Sequence, residues 1–249
     1  MQHTFLDRYG DLDSPLHRLD PRARIVAFTL ALLIVVSVPP GDLIPFLLFY
    51  PCLVILQMLS RVPFAYILRR CVLITPFVLM AAGMMMLTGG SDHAPVQSIV
   101  ISTRTGAAIS IILKAYAAVI LLSLLTSTGR FHRLLEGMRV LRMPPLLGVL
   151  SAFMYRYAFI LSDEVIRTSR ARLSRTPGSL RVGRFRTYGN QAATIFLRSW
   201  ERSQTVYNAM CSRGFTGEFP LTSDLRLNGG DILFVILVPA MFVVGRLMA

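Results

Sequence analysis

Five long apolar runs dominate the chain, and short polar segments separate them. The runs cover residues 25–38, 43–59, 71–88, 107–126 and 232–248. A helix needs about 20 residues to cross a bilayer core of about 30 Å, with a usable range of about 17–25. The first run is short, so we expect Arg22 and Arg24 to snorkel to the interface and lengthen it. The pattern predicts an all-α integral membrane protein with five transmembrane helices.

A sixth apolar stretch, residues 145–161, contains Arg156 and runs without a break into a charged segment. This stretch predicts either a partial span or a helix that leaves the membrane. The predicted number of spans is therefore five or six. The turn Pro39-Pro40-Gly41-Asp42 joins the first two runs as a helical hairpin. The three divisions predicted are an N-terminal membrane part (1–126), a cytoplasmic coupling-helix region (127–228) and a C-terminal transmembrane helix (229–249).

Composition supports the membrane assignment. Charged residues make up 16% of the chain and hydrophobic residues 54%, with a mean hydropathy of +0.58; a soluble domain would carry about 25% charged residues. The net charge of +13 comes almost entirely from arginines. They alternate with apolar runs, which argues for membrane topology and against a nucleic-acid partner.

The distribution of arginines predicts the orientation. Four precede the first run, none follows it, three follow the second run, one follows the third, and sixteen lie in residues 127–228. Cytoplasmic loops carry the excess of positive charge. We therefore expect a multi-pass protein of the bacterial inner or plasma membrane with a cytoplasmic N-terminus and an external C-terminus.

The long segment 127–228 predicts helices of its own. Phe131, Leu134, Leu135, Met138 and Leu141 recur on one face, which indicates an amphipathic interfacial helix over 130–142. Two long helices follow, at roughly 145–173 and 188–213, with a break at 176–179 and with Gly214 suited to a C-cap. We expect neither to be apolar enough to span, so that both form a cytoplasmic platform.

Catalytic chemistry is nearly absent from the sequence. The histidines are scattered, the cysteines have no metal spacing, and no GxxxxGK[ST] phosphate loop occurs. Asp163 and Glu164 are expected to offset Arg167 on the same helix. Lys114 lies within a span, where it is either functional or bound to a backbone carbonyl. We therefore expect a protein that is not an enzyme and that binds no metal or cofactor itself.

Three stretches carry a resemblance to a known family: "SPLHRLDPRARIVAFTLALLI" at 14–34, "ARL" at 171–173 and "RSWERSQTVYNAMCSRGFTG" at 198–217. Together they resemble the transmembrane T component of energy-coupling factor (ECF) transporters, in its cobalt-transport (CbiQ-like) branch. The family carries two Ala-Arg-Gly-like motifs at the ends of its coupling helices. Here they would be Ala171-Arg172-Leu173 and Ser212-Arg213-Gly214, with Leu173 in place of Gly and Ser212 in place of Ala.

The resemblance implies an L-shaped scaffold in an ATP-driven importer of cobalt ion. Two ABC-type ATPase subunits, which hold the ATP and Mg²⁺, would each receive one arginine-tipped helix. A substrate-binding membrane subunit would hold the cobalt, with a small accessory membrane subunit as an optional further partner and membrane lipid around the spans. Supporting contacts to the ATPases are assigned to Arg167, Arg170 and Arg202.

Other functions compete with this interpretation. The same subunit could serve a nickel or biotin-type vitamin importer, because the substrate is chosen by the partner. A membrane-embedded enzyme is disfavoured, since the spans carry no carboxylate or histidine pair. A self-sufficient secondary transporter would show internal repeats and ionisable groups within its spans, and only Lys114 meets the second condition.

Overall fold

The computed structural model of the protein describes residues 14–88, 103–175, 184–217 and 228–247. All of the regular structure in these ranges is helical, which confirms the all-α fold. The helices are α1 (Pro15–Arg18), α2 (Pro21–Val36), α3 (Ile44–Ser60), α4 (Phe64–Thr88), α5 (Thr103–Ser127), α6 (Phe131–Val140), α7 (Pro145–Arg175), α8 (Arg184–Ser212) and α9 (Gly229–Leu247).

The chain divides into two compact units. One consists of Gln2–Leu141 and Ser223–Ala249 and is called the bundle unit. The other covers Arg142–Thr222, contains α7 and α8, and is called the paired-helix unit. The chain therefore leaves the bundle unit once, after α6, and returns to it once, before α9.

In the bundle unit, α2 occupies the centre and packs against α5, α6 and α9. Its start follows from local sequence: the Asp20 carboxylate accepts a hydrogen bond from the Arg22 N–H at 2.9 Å, and Pro21 stands at the first helical position. The core contains Phe28, Phe49 and Phe242, each at most 2% exposed. The rings of Phe49 and Phe242 lie 4.9 Å apart and join α3 to α9.

Four of the described helices are long and apolar enough to cross a membrane: α4, α5, α7 and α9. Helix α3 is a shorter apolar helix. Exposed apolar side chains cover α4, such as Leu73 (77%) and Phe77 (73%), and they suit a lipid environment. A multi-pass membrane protein is thereby confirmed.

Two sequence-based expectations about the spans are wrong, and a third stays a prediction. Helix α2 has 16 residues, which is about 24 Å of rise, and its crossing of the membrane stays a prediction. Arg24 does not snorkel outward, because its side chain is buried at 1% exposure. Helix α7 is one continuous helix of 31 residues. It is long and apolar enough to cross a membrane, despite its charged second half.

The amphipathic helix is observed as α6, which packs against the beginning of α2. Leu135 and Gly137 are its buried residues. The expected break at 176–179 lies outside the described residues, as do residues 89–102.

Candidate coupling site

Helices α7 and α8 are held together by polar side chains near the middle of the pair. The Gln191 amide donates from Nε2 to Thr168 Oγ1 and to Ser169 Oγ, at 2.9 Å each. Arg198 Nη1 pairs with Glu164 Oε1 at 2.5 Å. Because higher numbers on α8 meet lower numbers on α7, the two helices run antiparallel.

The ion pair between Glu164 and Arg198 corrects one expectation. Glu164 turns to the neighbouring helix, so the assignment of its charge to Arg167 on its own helix is wrong. The Arg198 side chain is 60% exposed, and an exposed pair contributes only about 0.2–1 kcal/mol to stability. The pair therefore sets the register of the two helices more than it stabilises them.

The C-terminal end of α8 closes in a Schellman motif. Gly214 has a φ of +77° and donates its N–H to the Cys211 carbonyl at 3.0 Å. The Phe215 N–H donates to the Met210 carbonyl at 3.1 Å. Both bonds satisfy carbonyls that the helix would otherwise leave unpaired. The C-cap expected at Gly214 is confirmed.

This cap presents Arg213 directly after the last residue of the helix, Ser212. Ser212, Arg213 and Gly214 are all exposed. A cation here also complements the negative end of the helix dipole. The local sequence thus produces a solvent-facing arginine at a capped helix end.

Arg172 lies in the last turn of α7, in a different setting. Its guanidinium carbon stands 4.2 Å from the centre of the Tyr188 ring of α8. Its Nε is buried and has no hydrogen-bond partner among the described residues. Stacking on the ring covers one face of the guanidinium and leaves its planar edge for a carboxylate. The neighbouring Ala171 and Leu173 are exposed.

The two arginines are far apart within the paired-helix unit. Tyr188, which holds Arg172, lies near the start of α8, and Arg213 follows its last helical residue. Twenty-five residues of helix correspond to about 38 Å. The structure therefore offers two separate sites, not one combined arginine cluster.

The three further arginines proposed as supporting contacts are all exposed: Arg167, Arg170 and Arg202. Arg167 and Arg170 lie on α7 close to Arg172. Arg202 lies on α8 at the edge of a groove of about 390 Å³ between the two helices.

Sequence reasoning missed that groove and its lining. The lining is mostly apolar and includes Phe153 and Ile160 of α7 and Val206 and Met210 of α8. The available signal was the helical spacing of these residues within segments that otherwise look polar. Sequence reasoning also missed Tyr188, because nothing local shows that it lies under Arg172.

Lys114, in α5, is bound to a backbone carbonyl. Its Nζ donates to the Val38 carbonyl oxygen at 2.5 Å. Val38 follows the end of α2, where the turn into α3 leaves carbonyls without helical partners. Of the two roles considered for Lys114, the structure shows the carbonyl-binding one.

In the described part of the chain, no three His, Cys, Asp or Glu side chains stand close enough together to hold a metal ion. Cys52 is buried and Cys211 is exposed, and both are free thiols.

The model of the CbiQ family, described as cobalt transport protein, matches residues 13–223. An uncharacterized protein of Methanocaldococcus jannaschii is 25% identical over 97% of this chain and 86% of its own length. The energy-coupling factor transporter transmembrane protein EcfT of Heliobacterium modesticaldum is 27% identical over 96% of this chain and 94% of its own length.

A third relative combines two parts in one chain. It is a protein of Methanocorpusculum labreanum whose name describes it as a fused cobalt transport protein, CbiMQ. It is 24% identical over 89% of this chain, which spans 39% of the relative's length. The family match covers the segments that carried the sequence resemblance and both arginine-tipped helices. The chain belongs to the CbiQ family of cobalt transport proteins and is a multi-pass transmembrane component of an energy-coupling factor transporter.

Proposed function

We propose that this chain is the energy-coupling subunit of an ATP-driven cobalt importer, in which two ATPase subunits each bind one arginine-tipped helix. Closure of the ATPases on ATP would move α7 and α8. That movement would reach a substrate-binding membrane subunit, which holds the cobalt ion. ATP and Mg²⁺ bind in the ATPases, and this chain performs no hydrolysis.

The observation that carries the proposal is the exposed Arg213 at the Schellman-capped end of α8. A guanidinium presents a planar fork of donors and pairs bidentately with a carboxylate. The cap holds the backbone beneath it, so little conformational entropy is lost when a partner binds. An acidic groove on a soluble ATPase is the complementary surface.

Arg172 supports a second docking point. The Tyr188 ring orients the guanidinium before any partner arrives, and the separation of about 38 Å along α8 leaves room for one ATPase at each arginine. Arg167 and Arg170, on the same turns of α7 as Arg172, would add positive charge around that contact.

Charge reversal at the two arginines tests the proposal. Arg213→Glu or Arg172→Glu would place a carboxylate against the carboxylate of the ATPase. A hydrogen bond involving a charged group contributes about 1.5–3 kcal/mol, which is about 10- to 150-fold in affinity. We expect each variant to weaken the capture of ATPase subunits by at least tenfold, with the double variant weaker still. Lysine at either position should restore binding only in part.

A matched control is available in the bundle unit. Arg69 is an exposed arginine of α4, so Arg69→Glu makes the same charge change outside the paired-helix unit that contains both arginine tips. It should capture ATPase subunits as the unaltered chain does. Normal capture by Arg213→Glu together with loss by Arg69→Glu would show that Arg213 is not a docking point.

The cargo is tested separately, in cells that express the whole transporter. The family description and the relative from Methanocorpusculum labreanum favour cobalt. Uptake of radioactive cobalt should require this chain and should fall with Arg213→Glu. Dependence of nickel or biotin uptake on the chain, without dependence of cobalt uptake, would reassign the substrate and leave the docking proposal standing.

A further inference from the structure

The segment that begins α2 contains a buried group of charges that the proposed docking sites do not use. Asp20 is 7% exposed, Arg24 is 1% exposed, and Asp231 of α9 is 3% exposed. Buried charges cost free energy unless they are paired and hydrogen-bonded. Their hydrogen bonds show which segments of the chain these buried charges join.

Asp231 joins the start of α9 to the start of α2. Its Oδ2 accepts the N–H of Asn228, and its Oδ1 accepts the N–H of Asp20, both at 2.8 Å. Asn228 directly precedes α9, and Asp20 is the N-cap of α2. One carboxylate therefore satisfies an N–H at the beginning of each of two helices, which holds those two ends together.

Arg24 joins the start of α2 to the residue that follows α5. Its Nη1 donates to the carbonyl oxygen of Thr128, which is fully buried just after the end of α5. At Gly129 an added Cβ would lie 2.7 Å from Nη1 and 2.8 Å from Nη2 of Arg24. A larger residue at this position would displace the guanidinium from its present place. Burial and the positive charge of Arg133 lower the pKa of Arg24 to about 10, and the negative charges of Asp20 and Asp231 oppose this decrease.

The positions of these bonds in the chain are informative. Thr128 lies on the segment that passes through α6 and leaves the bundle unit after Leu141. Asn228 lies on the segment that returns to the bundle unit from Ser223 onward. Helix α6 itself presses on α2, since a Cβ at Gly137 would meet Pro21 and Ile25 at 3.1 Å. The buried charges thus bind one residue before and one residue after the part of the chain that contains the paired-helix unit, Thr128 and Asn228.

We propose that Asp20, Arg24 and Asp231 form a clamp on these two connections and are positioning residues for energy coupling. The inference rests on the proposed function, because it assigns the clamp to the transmission of helix movement into the bundle unit. Movement carried along the chain enters the bundle through these two segments. With the clamp intact, this movement displaces the helices of the bundle unit. Without the clamp, the two connections shift instead, and the movement does not reach those helices.

The test separates coupling from docking and from folding. Arg24→Gln removes the charged donor to Thr128, Asp231→Asn removes one acceptor, and Gly129→Ala displaces the guanidinium. Each variant is purified as the whole transporter in lipid nanodiscs for ATP hydrolysis and is reconstituted into liposomes for cobalt uptake. Recovery of the ATPase subunits normalises both rates. We expect ATPase recovery and hydrolysis within about twofold of the unaltered transporter, and a loss of about tenfold in uptake per ATP hydrolysed. That loss corresponds to about 1.4 kcal/mol.

Rescue and comparison variants make the outcome decisive. Arg24→Lys keeps one charged donor and should restore part of the uptake per ATP. If uptake and hydrolysis fall together in proportion to assembled complex, or if uptake per ATP is unchanged, the clamp is structural only and the inference is overturned. Asp231→Asn, the mildest change, decides the matter if Arg24→Gln does not assemble. Failure of the unaltered chain to capture ATPases would instead overturn the proposed function.

Discussion

Replacing Gly214 tests whether the cap at the end of α8 positions Arg213. An alanine there would have to adopt the φ of +77° or break the cap. An added Cβ would meet nothing within 4 Å, so the cost is purely that of the left-handed backbone conformation. For an L-residue this cost is about 1–2 kcal/mol. At about 1.4 kcal/mol per tenfold, we expect the end of α8 to open about 5- to 30-fold more often.

Hydrogen exchange measures this opening directly. The amides of Gly214 and Phe215 donate the two bonds of the cap, so their exchange should accelerate by the same factor in Gly214→Ala. Capture of ATPase subunits should weaken by no more than that factor, since the charge of Arg213 is unchanged. Asparagine tolerates the left-handed conformation better than other side chains. The exchange rates in Gly214→Asn should therefore lie between those of the unaltered chain and those of Gly214→Ala.

Gly189 provides the matched control within the same helix. It also has open space around its missing Cβ, but it lies inside α8 and has no positive φ. Gly189→Ala should therefore stabilise α8, by up to about 1 kcal/mol. Equal exchange rates in Gly214→Ala and the unaltered chain, or equal effects of alanine and asparagine at 214, would refute the argument that the cap positions Arg213.

Three further results are expected. Tyr188→Leu removes a cation–π contact of about 0.5–1 kcal/mol. In an Arg213→Glu background, where Arg172 is the one arginine tip left, it should weaken ATPase capture about two- to fivefold. Unchanged capture would mean that the ring does not orient Arg172. In a chain without native cysteines, Pro40→Cys should react with an impermeant thiol reagent from outside and Ser174→Cys should not, and the reverse pattern would invert the predicted orientation. Calorimetry of the purified subunit should detect no micromolar Co²⁺ site, and a stoichiometric site would move cobalt binding from the partner to this chain.

The sequence predicted the elements that depend on local physics. The apolar runs at 71–88, 107–126 and 232–248 reappear within α4, α5 and α9, because the transfer of apolar side chains out of water is nearly additive along a segment. Gly214 was identified as a C-cap because few residues tolerate a positive φ. The arginine tips were located through the family motifs, and their role in docking stays a prediction.

Local patterns failed where one helix contains two kinds of surface. Helix α7 was expected to be too polar to span because its second half is charged, yet its first half is apolar apart from Arg156 and a few other polar side chains. Helix α2 begins four residues before the apolar run at 25–38 and ends two residues before that run ends, because Pro21 at its first position and the Asp20 N-cap set where the helix begins.

The sequence by itself determined the class of the protein, the order of its helices and the chemistry available at their ends. Only the tertiary structure decided which charges meet. Arg24 binds the carbonyl of Thr128, 104 residues away, and the Asp20 N–H binds Asp231, 211 residues away. Helical hydrogen bonds and apolar periodicity act over three or four residues, so they cannot specify such partners. Packing of α2 against α5, α6 and α9 brings these groups together, and burial then makes their pairing obligatory.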